Sequence, residues 1–150
     1  RELRIRQQQE TLKTKSFKSL KGQLPWPAEG RIISKFGRQW NPKLKTTTEN
    51  PGIDIKGKPG SSIRTVLGGV VTTITYIRGY GTTIIVDHGG GFYTVYSHVT
   101  NIQTNVDSQV RNGDVIAYMG DSGSINGSKL HFEIWGKGQK LDPERWLRKK

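Results

Sequence analysis

The chain of 150 residues contains no cysteine. That excludes a disulfide scaffold and any zinc finger built on thiolates. It leaves the compartment open, because a cysteine-free protein suits either redox setting. Acidic residues are scarce: 12 Asp and Glu stand against 24 Lys and Arg, a formal net charge of +12. A surface of that sign favours polyanions, whether nucleic acid, an anionic envelope polymer or an acidic protein face. Long apolar runs are missing too. None approaches the roughly 18 residues of a helical membrane span. There is no leader sequence, but the chain begins with Arg1 rather than Met and reads as a piece of a longer precursor, so that lack says nothing about export. A His-Glu-x-x-His zinc motif and a Gly-x-Ser-x-Gly elbow are both absent. So are an RNA-recognition signature and a helix-turn-helix pattern, and nucleic acid is not an expected partner.

Glycine is plentiful, at 19 residues, and Val, Ile and Thr cluster between the glycines. Such spacing predicts short strands joined by tight turns. Strand signals fall at residues 31–37, 53–55, 62–66, 70–77, 82–87, 92–97, 115–120 and 130–135. The expected fold is all-β: an antiparallel sheet, sandwich or open barrel. Residues 38–49 and 101–112 read as polar loops, the second with room for a helical turn. Residues 1–22 read as a helical or flexible segment, the end of an upstream coiled coil in one reading and a basic linker in the other. The domain proper is expected at 23–150, after the break made by Pro25, Trp26 and Pro27. A helical turn at residues 143–147, capped by Asp142, closes the chain.

Candidate chemistry rests on three histidines, His88, His98 and His131. A catalytic zinc takes three protein ligands and keeps one position for water. From residue types alone the nearest set is Asp54, His98 and His131, and ordinary hydrogen-bonded histidines are the commoner alternative. Among the aromatics, Trp26 and Trp146 read as packing residues near the domain ends. Trp40 and Tyr80, in polar or Gly-rich loops, are candidate contacts with sugar or protein, together with Arg78. Trp135 shares that open question.

Several stretches occur together in order: Gly-Ile-Asp-Ile at 52–55, Val-Asp-His-Gly-Gly-Gly-Phe at 86–92, Tyr-Ser-His-Val at 96–99, Gly-Asp-Val-Ile-Ala at 113–117 and Leu-His-Phe-Glu-Ile at 130–134. In joint order and spacing the chain, over residues 24–147, resembles the lysostaphin/LytM-type zinc metallopeptidases, which cut peptidoglycan cross-links. That family's pattern is His-x-x-x-Asp, then Tyr-x-His, then His-x-His. The resemblance places the zinc ligands at Asn50, Asp54 and His131, and the two catalytic histidines at His98 and Lys129. Two of these five positions therefore depart from the pattern. Asn50 offers only a neutral amide oxygen, a poor zinc donor beside imidazole. Lys129 brings a cation, which opposes a second cation and can instead pair with Asp54. His88 matches a turn residue outside the metal site and is expected to be structural.

Members with lost zinc residues resemble the EnvC-type murein hydrolase activators. That likeness implies a non-catalytic domain with no cofactor, which activates an N-acetylmuramyl-L-alanine amidase outside the cytoplasmic membrane during bacterial cell division. The expected partner groove is Asn50, Asp54, Tyr96, His98, Lys129 and His131. Further partners implied are peptidoglycan itself and, through an upstream coiled coil, a cell-division membrane complex. Two alternatives stand beside it. One is a zinc endopeptidase with an atypical site, binding zinc weakly through Asp54, His131 and water. The other is a peptidoglycan or polyanion binder resting on the net charge, which steep loss of binding with salt would favour.

Overall fold

The computed structural model describes residues 17–120 and 127–150. Most of the expected coiled-coil end, residues 1–16, lies outside the described residues. In chain order the strands are β1 (Arg31–Ser34), β2 (Gly37–Asn41), β3 (Thr46–Asn50), β4 (Ile53–Lys56), β5 (Ser62–Arg64), β6 (Gly69–Ile77) and β7 (Gly81–Gly89). They continue with β8 (Phe92–Ser97), β9 (Val99–Thr100), β10 (Gln109–Val110), β11 (Val115–Met119), β12 (Lys129–Gly136) and β13 (Gln139–Leu141). A short helix, α1 (Pro143–Trp146), follows; the Asp142 carboxylate caps it by accepting from Glu144 N–H at 3.0 Å.

The all-β expectation holds. The large sheet runs β1-β4-β12-β8-β7-β6-β10, with β13 paired to β12, and it does not close on itself. A second sheet, β5-β11-β9, contributes Ile63, Ile116, Met119 and Val99 to the same buried cluster as Ile53, Ile84, Tyr96 and Phe132 of the large sheet. Alternation along β12 explains this division. Leu130, Phe132 and Ile134 are fully buried in the cluster. Lys129, His131, Glu133 and Trp135 point the opposite way, as a strand's period of two requires.

Strand β12 is central, and one of its edges is shared. Strand β8 pairs with its 131–136 stretch, while on the other edge β4 pairs with 129–132 and β13 with 134–136. Gly52 lies where β4 enters this edge. A methyl group there would sit 2.1 Å from the Phe132 carbonyl oxygen and 2.8 Å from the Glu133 side chain. The glycine of the 52–55 motif is therefore required by close approach of two backbones.

Three expectations need correction. Residues 38–49 are mostly a β-hairpin, β2 with β3, rather than a polar loop. Three consecutive β-branched threonines, Thr46 to Thr48, supply its second strand, and the Asn41 side-chain amide oxygen accepts from the Lys43 and Leu44 N–H groups to make the turn. Trp40 thus sits on a strand, 61% exposed. The packed body also begins before the expected boundary at residue 23. Phe17, in a helical turn at 17–19, is fully buried with its ring 4.9 Å from Phe92 and 5.4 Å from Trp146. The loop at 101–112 contains β10, which covers the start of β6.

His88 belongs to β7 rather than to a turn, and its expected structural role is explicit. It is fully buried between the Gly68 carbonyl and the Thr94 hydroxyl, each at 2.8 Å. The carbonyl can only accept, so Nδ1 carries the hydrogen and Nε2 accepts from Thr94. Thr94 in turn accepts from the Tyr96 hydroxyl at 2.8 Å, and Tyr96 accepts from Val66 N–H at 3.1 Å. Burial pushes the His88 imidazole down to about 4, partly opposed by the Gly68 carbonyl.

Candidate functional site

The outward face of β12 and its neighbours builds a cleft. Register places Asp54 of β4 directly opposite His131 of β12, with Ser97 of β8 opposite His131 on the other side. Cross-strand neighbours of this kind touch. The His131 Nδ1–H donates to Asp54 Oδ1 at 2.6 Å, and its Nε2–H donates to Glu133 Oε2 at 2.7 Å. Lys129 Nζ lies 3.4 Å from the second Asp54 oxygen. Glu133 Oε1 accepts from the Trp135 indole N–H at 2.7 Å, with Lys140 Nζ at 3.8 Å. One line of alternating charge results: Lys129, Asp54, His131, Glu133.

Two carboxylates facing two ring nitrogens hold His131 as an imidazolium. Burial alone lowers its pKa, but the hydrogen bonds to Asp54 and Glu133 outweigh burial and raise it. Burial raises the two acids; for Asp54 the His131 hydrogen bond, His131 charge and Lys129 charge prevail, and it falls below the ordinary carboxylate range. Glu133 falls likewise, through its hydrogen bonds from His131 and Trp135. Tyr80, whose ring centroid is 4.9 Å from that of His131, covers the pair. Partial burial, then the Glu133 and Asp54 charges, raise its hydroxyl.

The cleft has a volume of about 360 Å³, and its lining includes Asn50, Asp54, Tyr80, His98, Lys129 and His131. Five of the six expected groove residues therefore meet in one place, and the expected Lys129–Asp54 pair is formed. Tyr96 does not belong there. It is fully buried on the core face, one position out of phase with the cleft side chains, and its hydroxyl is used by Val66 and Thr94. Among the candidate loop contacts Tyr80 lines the cleft, while Trp40 and Arg78 stand outside its lining. Trp146 is buried as expected, and Trp26 packs on the core with its N–H donated to the Arg148 carbonyl at 2.7 Å. Glu133 was not anticipated as a site residue. Its signal was available, since it stands two positions after His131 on a strand and so shares its face.

His98 is held in an unusual backbone conformation, φ 65°. Its N–H donates to the Tyr80 carbonyl at 2.8 Å and its carbonyl accepts from Gly120 N–H at 3.0 Å. Left-handed backbone at a β-rich position costs about 1 kcal/mol or more and persists only where surroundings enforce it.

The donors do not match a three-ligand zinc set. Asn50 directs its amide nitrogen at Ser34 Oγ (2.9 Å) and its oxygen at Gly52 N–H (3.1 Å), so both ends serve the local turn. His131 donates from both nitrogens and presents no lone pair. Among the described residues no group of three or more His, Cys, Asp or Glu is placed to hold a metal.

The model of Peptidase family M23 matches residues 48–143. The chain belongs to this family. Within it, the sequence is 32% identical over 127 residues to the murein hydrolase activator EnvC of Escherichia coli K12, covering 85% of this chain and 29% of that protein. It is 37% identical over 123 residues to the murein hydrolase activator NlpD of the same organism, covering 81% and 30%. It therefore spans under a third of either relative. The M23 fold is also that of a zinc-containing peptidase from Vibrio cholerae, at TM-score 0.75 and 21% identity over 84% of this chain and 40% of that one. Among the described residues, no helix is long and apolar enough to cross a membrane.

Proposed function

We propose that this M23 domain is a non-catalytic activator of a peptidoglycan amidase, working outside the cytoplasmic membrane of a bacterium during cell-wall remodelling and daughter-cell separation. The observation that carries this reading is the Lys129–Asp54–His131–Glu133 line. At a zinc-ligand position of the family pattern His131 is an imidazolium, at a catalytic-histidine position Lys129 is an ammonium, and Asn50 is tied into its own turn. Among the described residues no group of three or more His, Cys, Asp or Glu is placed to activate water through a metal, and no cofactor enters the reading. The names of the EnvC and NlpD relatives as murein hydrolase activators support the same direction.

The cleft then acts as a binding groove. A groove bearing Asn50, His98, Lys129 and Tyr80 activates a hydrolase by binding its open state better than its self-inhibited one. Moving a 1:99 equilibrium to 99:1 takes about a 10⁴-fold preference, near 5.5 kcal/mol. The test is dye release from labelled peptidoglycan. The domain alone should release nothing, and the domain with its cognate amidase should exceed amidase alone. Release by the domain alone, abolished by a chelator, would establish the zinc endopeptidase instead.

A further inference from the structure

At the far end of the same β12 face lies a notch that the activator reading does not use. Register aligns Tyr93 of β8, Trp135 of β12 and Lys140 of β13 in one cross-strand row. The two rings stand 6.2 Å apart at 56°, forming a V. The notch is lined as well by Gly91 and Gly138, which bring no side chain into it, and by the exposed Gln139. The indole N–H is taken by Glu133, itself tied to His131, so the Trp135 ring is fixed from beneath. Lys140 is 54% exposed at the rim.

The notch holds about 240 Å³. That is below the range of about 300–1,000 Å³ typical of drug-sized ligands and suits a single ring. Its chemistry is divided: aromatic faces inside, an amide and an ammonium at the edge. An amphiphile with C–H faces and a hydroxyl-rich edge satisfies both parts, and a pyranose is such a ring. The notch is also not isolated. A neighbouring cavity of about 440 Å³ shares Lys140 with it, and shares Asn50, Pro51 and Tyr80 with the polar cleft. From Lys129 to Trp135 this trough follows six residues of strand, about 20 Å, a length suited to a polymer.

We infer that the Tyr93–Trp135 notch is a saccharide subsite, which seats one sugar ring of a glycan strand while the strand's substituents continue toward the polar cleft. The inference goes beyond amidase activation and does not depend on it, since it concerns direct contact with the polymer. Sugar C–H groups lie against the indole and phenol faces, and Gln139 and Lys140 hydrogen-bond the ring's hydroxyl or acylamino edge.

The test is a titration of the 150-residue chain with a soluble, peptide-free tetrasaccharide of N-acetylglucosamine, followed by NMR. The Trp135 indole N–H signal should shift saturably. Tyr93→Ala should weaken binding about tenfold, the scale of one aromatic contact, while Tyr93→Phe should bind as the original does. Gln139→Ala, on an exposed position, should weaken it severalfold and keeps the test open should Tyr93→Ala fail to fold. No shift of the Trp135 signal, or equal affinity in both Tyr93→Ala and Gln139→Ala, overturns the assignment.

Discussion

Acidification should weaken this fold through His88, and the size of the effect follows from its surroundings. In the unfolded chain the imidazole takes a proton near 6.5; in the folded protein burial holds it at about 4. As pH falls through that window the unfolded state binds the proton and the folded state does not, so stability is lost, and the loss ends below about 4. The full shift is worth about 3 kcal/mol, and about 2 kcal/mol of it is gone by about pH 5. His131 works in the opposite sense. Its pKa is raised, so its contribution is complete below its unfolded value and is lost as pH rises through the folded one. The two must be separated by mutation. His88→Gln can still donate to the Gly68 carbonyl and accept from Thr94, but does not titrate. Urea unfolding at neutral pH and about pH 5 should show the original protein losing about 2 kcal/mol more than the variant between the two conditions. NMR of the ring should find the hydrogen on Nδ1 and a titration midpoint near 4. Equal losses in both proteins, or a midpoint near 6.5, would refute the buried relay from Val66 to Gly68.

Other perturbations act on the cleft itself. Gly52→Ala should destabilise the domain by about 4 kcal/mol or leave it insoluble, because its methyl meets the Phe132 carbonyl oxygen; an unfolding midpoint within experimental error of the original would contradict this. Lys129→Met should cost about 1–2 kcal/mol, since Asp54 is only 14% exposed and, among the described residues, keeps His131 as its remaining side-chain partner; chemical unfolding measures it, and a more stable variant would show the pair to be unnecessary. The double change Asn50→His with Lys129→His should create retained zinc, because it restores a third donor and removes the opposing ammonium; metal analysis after dialysis checks this, and a metal-free double variant would mean that the turn around Asn50 cannot reshape.

Most of the sheet was legible because its strands alternate Val, Ile and Thr between glycine turns. The hairpin at 37–50 was not, because Thr46 to Thr48 alternate with nothing apolar and pack against no core; β-propensity without burial gives no pattern to read. Phe17 was hidden for a different reason. Its partners Phe92 and Trp146 are distant in sequence, and nothing local marks a lone aromatic as buried. At the site, motif spacing placed Asp54, His98, Lys129 and His131 in one cleft. It failed at Tyr96, where motif membership suggested the groove although a strand position two residues from His98 across a bend need not share its face. Glu133 was legible only by counting alternation onward from His131.

The charges at the site suggest why the frame tolerates its departures from the family pattern. Asp54 and Glu133 place two negative charges within reach of one ring. A divalent cation beside a neutral His131 would balance them. Here Lys129 and a protonated His131 supply the same two positive charges, His131 through short hydrogen bonds to both carboxylates and Lys129 through a 3.4 Å contact with Asp54. Two partly buried carboxylates without such partners would cost several kcal/mol, so the Lys at 129 and the proton on His131 stabilise each other's context. Under the activator reading this matters for function as well as folding. A groove whose charges are already balanced is rigid without any ligand, and a rigid groove loses less conformational entropy when a partner docks. Restoring zinc by the double substitution should therefore leave the fold intact while exchanging one balanced state for another, whereas Lys129→Met alone should leave Asp54 short of a counter-charge.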